Sequence, residues 1–254
     1  MEIYAAERQL LRLARRIPEV RTAGDEAEVL VYLLGNRAVS LYRGFLHAMQ
    51  GPSTATPIVD ARSLVELAIR LKWVTLDPPV NAALYFGGSE NADLKAIRAL
   101  EDNLGVTPPA SLDAGTVQRL KAEKEAIRDE AKTLATKEGR RYRDGLMPTV
   151  ERMVDEAAET DPANALVMQQ AYDDVYRAFS GWVHSEVMSF KHFVRENSDG
   201  TVSHLGDGWG IVPDHVRVMA ASTFAFVLET VAVGRDEKLA NEARAARQRL
   251  VEPT

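Results

Sequence analysis

Arg177 and His184, in the run Arg177-Ala-Phe-Ser-Gly-Trp-Val-His184, are the pair in this sequence best suited to phosphate chemistry. A guanidinium offers a planar fork of donors to phosphate oxygens. An imidazole changes charge near neutral pH, so it can take or give a proton. At roughly 100° per residue, seven residues bring the two side chains within about 20° of each other on a helix. Asp173 and Ser180 flank that line, and Tyr176, Ser180 and His184 form a second ladder at four-residue steps. Met168, Val175, Phe179 and Trp182 fall on the opposite side and read as a core face. The plain alternative is a solvated helix face on which Asp173 and Arg177 make an ordinary i,i+4 pair.

A second constellation lies upstream, where Arg62, Glu66 and Arg70 follow one another at four-residue steps. One carboxylate is bracketed by two guanidiniums on a narrow polar arc that also contains Ser63 and Trp73. A helix apolar over the rest of its circumference is expected in a core, which would put this arc in a crevice. A surface ion-pair ladder is the competing reading.

Two other chemistries fit less well. His184, His192, His204 and His215 fall in one stretch, but His184 and His192 would stand about 12 Å apart on a helix, too far to share an ion. No metal and no cofactor is expected. Asp173, Ser180 and His184 stack along one helix, whereas a hydrolase nucleophile sits on a sharp turn beside an oxyanion hole.

The elements that must carry these residues are helical. Of 254 residues, 46% are hydrophobic and 27% charged, with 16 glycines and no cysteine. That is ordinary globular usage, and it rules out disulfides, thiolate catalysis and Cys-ligated zinc. The net charge of −6 argues against a broad electrostatic grip on nucleic acid. Met1 to Arg16 is amphipathic with no continuous apolar run, so it is not read as a signal peptide. The apolar stretch from Arg217 to Glu229 reads as too short to span a bilayer. A cytoplasmic protein is expected, with no membrane partner.

Helical periodicity predicts a first long helix from residues 24–26 to about Gln50 and a second from after Pro57 to about Leu76. A third starts at Pro78 or Pro79, breaks at Gly87-Gly88-Ser89 and resumes to Gly105. A charged helix follows over roughly Asp113 to Asp144. Its seam of Val117, Leu120, Ile127, Ala131 and Leu134 is interrupted by Lys124. A short helix over Pro148–Glu159 leads into the one carrying Arg177, from about Ala163 to Phe190. Asp199-Gly200 is a tight-turn signal, which predicts a small β-hairpin or irregular flap near residues 193–211. Pro213 opens an almost all-round apolar helix through Val233, expected at the centre. The fold class is therefore all-α, a multi-helix bundle in a single domain over 1–254. Its core spans about 25–234, and residues 235–254 form a polar helical tail.

Two motifs in this frame resemble known proteins. Arg177 to His184 resembles the Arg-x(4–6)-His motif of the HEPN superfamily of nucleotide-binding proteins. The helix with Arg62 and Glu66, joined to the later Tyr176, Ser180 and His184 ladder, is similar to an uncharacterised bacterial family, a domain of unknown function. The resemblance covers roughly residues 25 to 230. It implies a helical bundle that pairs as a homodimer, with the Arg/His stripes of two protomers facing each other. It further implies metal-independent cutting of RNA in a defence or toxin–antitoxin setting, Arg177 and His184 being catalytic. Asp173, Tyr176, Ser180, Arg62 and Glu66 would support them, and an antitoxin-like protein is the implied partner. Those nucleases usually carry a polar residue directly after the arginine, where this chain has Ala178. The alternative is a non-catalytic helical dimer acting as a nucleotide-binding or protein-interaction module.

Overall fold

The most apolar run of the chain forms a helix with scarcely any face left to water. A computed structural model describes residues 3–17, 25–51, 55–104, 114–139, 147–177, 194–196, 198–199, 201–204 and 214–251. In chain order the helices are α1 (Ile3–Ala14), α2 (Glu26–Ala48), α3 (Ala55–Leu76), α4 (Pro78–Leu104), α5 (Ala114–Lys137), α6 (Val150–Thr160) and α7 (Pro162–Ala171). The π-helical segment Tyr172–Arg177 continues α7. Strands β1 (Val194–Glu196) and β2 (Val202–His204) precede α8 (Asp214–Ala232) and α9 (Glu237–Val251).

Helix α8 is the axis of the bundle. Phe224, Ala225, Val227, Leu228 and their neighbours are buried, and α1, α2, α3 and α9 pack around it. At 19 residues with a mean hydropathy of 1.2 in its best window, α8 is long and apolar enough to cross a bilayer. The apolar stretch Arg217–Glu229 read from the sequence lies inside this longer helix. Its apolar faces are satisfied inside the fold, where 72% of that window is buried. Tyr42 of α2 stacks on Phe224, ring centroids 4.3 Å apart and planes at 19°. Gly35 lets α2 approach α8 closely, since a Cβ there would sit 2.8 Å from Val231 Cγ2.

Local chemistry sets most boundaries. Asp25 caps α2 by accepting from the Ala27 amide at 3.0 Å, and Thr149 caps α6 by accepting from Arg152. Gly234, at φ 74°, ends the turn between α8 and α9 in the left-handed region where glycine carries no Cβ penalty.

Three expectations about elements need correction. Helix α4 runs without a break through Gly87, Gly88 and Ser89. Two glycines weaken a helix by roughly 1 kcal/mol each, which packing readily offsets. Gly88 lies so close to Met147 that a Cβ would stand 2.7 Å from its Cγ. The segment expected as a polar helical tail, residues 235–254, is helical over α9 but packs on α8 and α1 instead of trailing, with Leu239, Ala240, Ala243 and Ala246 buried. Arg244 and Arg247 of α9 reach the buried Glu229 of α8 at 2.7 and 3.0 Å. The helix expected from Ala163 to Phe190 starts at Pro162 and leaves α-geometry at Tyr172. Residues 178–193 lie outside the described residues.

Lys124, the interruption in the α5 seam, pairs with Glu90 and with Asp93 (2.9 Å), tying α5 to α4. The hairpin is present. β1 and β2 pair antiparallel, with Val194 opposite His204 and Glu196 opposite Val202. Asp199 Oδ1 accepts from the Thr201 amide at 2.9 Å and from its hydroxyl at 2.6 Å, which shapes the turn.

Candidate functional site

Four-residue spacing on α3 puts Arg62, Glu66 and Arg70 on one line. Glu66 Oε1 accepts from Arg70 Nη2 at 2.6 Å and from Arg70 Nε at 3.1 Å, and Glu66 Oε2 accepts from Arg62 Nη1 at 3.4 Å. The Arg62 side chain is only 9% exposed, so the cluster lies in a crevice rather than on open surface. Arg70 also points Nη1 at Met147 Sδ, 3.7 Å away.

The wall of that crevice is the π-helical segment. Arg62 lays its guanidinium over the Tyr176 ring, 4.4 Å from the centroid. Tyr172 stacks on Tyr176 in turn, 5.3 Å between centroids and 19° between planes. Guanidinium and two rings thus form a continuous stack joining α3 to the chain that carries Arg177, a contact of the desolvated cation–π type. Burial and then the Glu66 carboxylate push the Tyr176 hydroxyl up, against the pull of Arg62 and Arg70. Tyr172 is raised too, by burial first and then Glu151. Both phenols are therefore neutral donors at physiological pH.

A π-turn carries an extra residue per turn and is frequent at functional sites. Here it turns Tyr176 towards α3 while Val175 stays fully buried in the core. Arg177, the last residue of the segment, is left in solvent, its side chain 73% exposed. Its nearest carboxylate oxygen, on Asp173, is 3.9 Å away, and Asp173 already accepts from Gln169 Nε2 at 2.9 Å. Among the described residues the Arg177 guanidinium is thus held only by this long contact.

The surroundings hold this arrangement rigid. Trp73, which shares the polar arc, is fully buried and donates Nε1–H to Glu156 Oε2 at 2.8 Å. Arg152 pairs with the same carboxylate at 3.2 Å. Lys72 Nζ reaches Asp161 at 2.7 Å, fixing the α6–α7 corner against α3. Burial opposes ionisation of Asp161, but bonds from Asn164 and Lys72 outweigh it and hold the carboxyl below its usual value. The Arg62 Nε–H is buried and has no partner among the described residues, a cost that the stack and ion pair must offset.

The structure therefore brings Arg62, Glu66 and Tyr176 together, with Asp173 and Arg177 on the adjoining exposed side of the same segment. Ser180 and His184 lie outside the described residues. Arg70 belongs to the four-residue line read from the sequence. Tyr172 was missed, although it lies four residues before Tyr176 and extends the Tyr176, Ser180 and His184 ladder by one step. Among the described residues there is no group of three or more His, Asp or Glu side chains arranged to hold a metal ion.

The fold and cluster define an all-α protein in which a guanidinium–carboxylate ladder on one helix clamps a tyrosine pair on another. A family model, described as a family of unknown function (DUF5677), matches residues 28–201, and the chain belongs to that family. The matched span contains both the Arg62 ladder and the Tyr176–His184 stretch. No curated protein and no solved structure matches the chain.

Proposed function

We propose that this chain is a HEPN-like, metal-independent endoribonuclease, working as a homodimer and using Arg177 and His184 on RNA. The observation that carries the reading is the division of labour along the π-segment. Tyr176 is fixed by Arg62 and Glu66, while the neighbouring Arg177 is 73% exposed and able to meet a phosphate. A structural arginine is held close to a carboxylate or stacked on a ring, as Arg62 is. Among the described residues Arg177 has only the long 3.9 Å contact to Asp173, which orients the fork without burying it.

In this reading RNA supplies its own nucleophile, the 2′-hydroxyl. His184 takes the 2′-hydroxyl proton as the 2′-oxygen bonds to phosphorus. The phosphorus–5′-oxygen bond breaks, and the leaving oxygen receives a proton from a second imidazole contributed by a second copy of the chain. The products are a 2′,3′-cyclic phosphate and a 5′-hydroxyl. Arg177 holds the non-bridging oxygens while negative charge builds on them. Arg62, Glu66 and Tyr176 act as positioning residues, and Asp173 keeps the Arg177 fork oriented. A toxin–antitoxin or defence role and an antitoxin-like partner follow from the same resemblance.

The test is incubation of the purified chain with mixed single-stranded RNAs in excess chelator. Cleavage lost in both Arg177→Ala and His184→Ala supports the enzyme. The second reading, a non-catalytic nucleotide-binding module, draws on the same exposed Arg177 beside a tyrosine pair that could stack a base. It predicts saturable nucleotide binding by a wild type that leaves RNA intact.

A further inference from the structure

Helix α1 lies outside the span matched by the family model, and its exposed face is charged in a way the fold does not use. Four arginines, Arg8, Arg12, Arg15 and Arg16, fall on it or directly after it. Arg16 pairs with Glu242 at 2.7 Å and Asp236 at 3.3 Å. Among the described residues Arg8, Arg12 and Arg15 have no carboxylate partner, and all three are exposed. Spacings of four and three residues place them along one side of the helix over roughly 10 Å. The one acidic residue of α1, Glu7, is turned inward and clamped by Arg217 through bonds of 2.6 and 2.8 Å. In a chain of net charge −6, three unneutralised guanidiniums in a row are a local exception.

The row borders a groove. A cavity of about 250 Å³ has Tyr4, Glu7, Arg8, Leu11 and Arg217 in its lining, and one of about 330 Å³ is lined by Arg8, Leu11, Arg12 and Arg15. The two share Arg8 and Leu11, so they adjoin. Arg217 sits 4.1 Å from the centroid of the Tyr4 ring, fixing a ring that is itself 56% exposed at the end of the row.

We infer that this face of α1 binds the phosphodiester backbone of single-stranded nucleic acid, Arg8, Arg12 and Arg15 taking phosphates and Tyr4 offering a stacking surface for a base. The ligand class rests on the RNA reading proposed above, whereas the place does not. Charge complementarity requires an anion, and guanidiniums a turn apart suit a repeating one better than a single ion. An aromatic ring at the end of a basic row is the arrangement that holds single strands. A lipid surface fits less well. An amphipathic helix binds lipid by inserting its apolar face, and the apolar residues of α1, Ala6, Leu10, Leu13 and Ala14, are buried in the core.

The experiment is fluorescence anisotropy of a labelled single-stranded oligouridine against the His184→Ala chain, which binds without cutting, across a series of salt concentrations. Neutralising three phosphates contributes about 2 to the log–log salt slope of a single strand. The Arg8→Gln/Arg12→Gln/Arg15→Gln variant is expected to lose that much slope and at least tenfold in affinity at low salt. The triple Arg→Lys variant should recover the slope, and Tyr4→Ala should weaken binding with the slope unchanged. An unchanged slope in the triple Gln variant, no binding by the parent, or binding of phosphatidylserine vesicles in place of the oligonucleotide each overturns the inference. Cleavage of a dinucleotide too short to reach α1 reports on Arg177 and His184 alone, so failure of one proposal is separable from failure of the other.

Discussion

Glu66→Gln isolates what holds the π-segment in place, because it removes one charge and almost no volume. Glu66 neutralises two guanidiniums that the fold treats differently. The Arg70 side chain is 25% exposed and regains water when its partner is lost. Arg62, at 9%, is left as a buried cation whose Nε–H has no partner among the described residues. Breaking a buried ion pair from one side costs roughly 3–5 kcal/mol. Partial exposure of Glu66 and the retained Tyr176 stack lower that range to about 2–3 kcal/mol. In a domain of this size such a loss corresponds to a fall in Tm of about 4–12 °C. Urea unfolding followed by circular dichroism gives the free energy. Adding Arg62→Met removes the stranded charge while keeping an apolar chain over Tyr176, and should recover at least about 1 kcal/mol of the loss. The reasoning is refuted if Glu66→Gln unfolds at the wild-type urea concentration. It is refuted equally if Arg62→Met adds further destabilisation on top of it.

Three more outcomes follow from the same contacts. Tyr42, Tyr172 and Tyr176 have raised hydroxyl pKa values, chiefly through burial. Ultraviolet titration should therefore show these three tyrosines ionising late, and each Tyr→Phe variant should remove one late step. Since the native state holds those protons more tightly than the unfolded chain, their contribution to stability is complete below about pH 10 and lost as pH rises through the native values. At the other end of the scale, the depressed Asp161 contributes stability above about pH 4 that disappears as pH falls further. Lys72→Met should flatten that acid limb and cost about 1 kcal/mol at neutral pH, read from urea midpoints. Gly35→Ala should destabilise by about 1 kcal/mol although alanine is the better helix former, because the new methyl meets Val231 at 2.8 Å. Val231→Ala in the same chain should restore the loss in a thermal melt.

Much of the fold is legible from local pattern. The caps at Asp25 and Thr149, the prolines at positions 78 and 162, and the apolar circumference of α8 each fix an element through forces acting within a few residues. The errors arise where distant packing overrides local preference. The Gly87-Gly88 pair stays helical where Met147, from another part of the chain, packs into the space that a side chain at Gly88 would need. The α9 segment looks like a polar tail because its buried residues are mostly alanines, which carry little hydrophobic signal even at helical spacing. For the site, the Arg62–Glu66–Arg70 line was readable because it lies within one helix. Its link to Tyr176 was not, since it joins two segments more than a hundred residues apart and a helical wheel carries no information on which helices meet.

The central claim is that Arg177 and His184 act on a phosphodiester with the RNA 2′-hydroxyl as nucleophile. Its most direct measurement is end-group analysis of products from matched RNA and DNA oligonucleotides of one sequence, incubated with the chain in excess chelator. The account predicts RNA fragments ending in 2′,3′-cyclic phosphate, intact DNA, and no fragments from Arg177→Ala or His184→Ala. Intact RNA under wild-type protein, or DNA cut alongside it, contradicts the account.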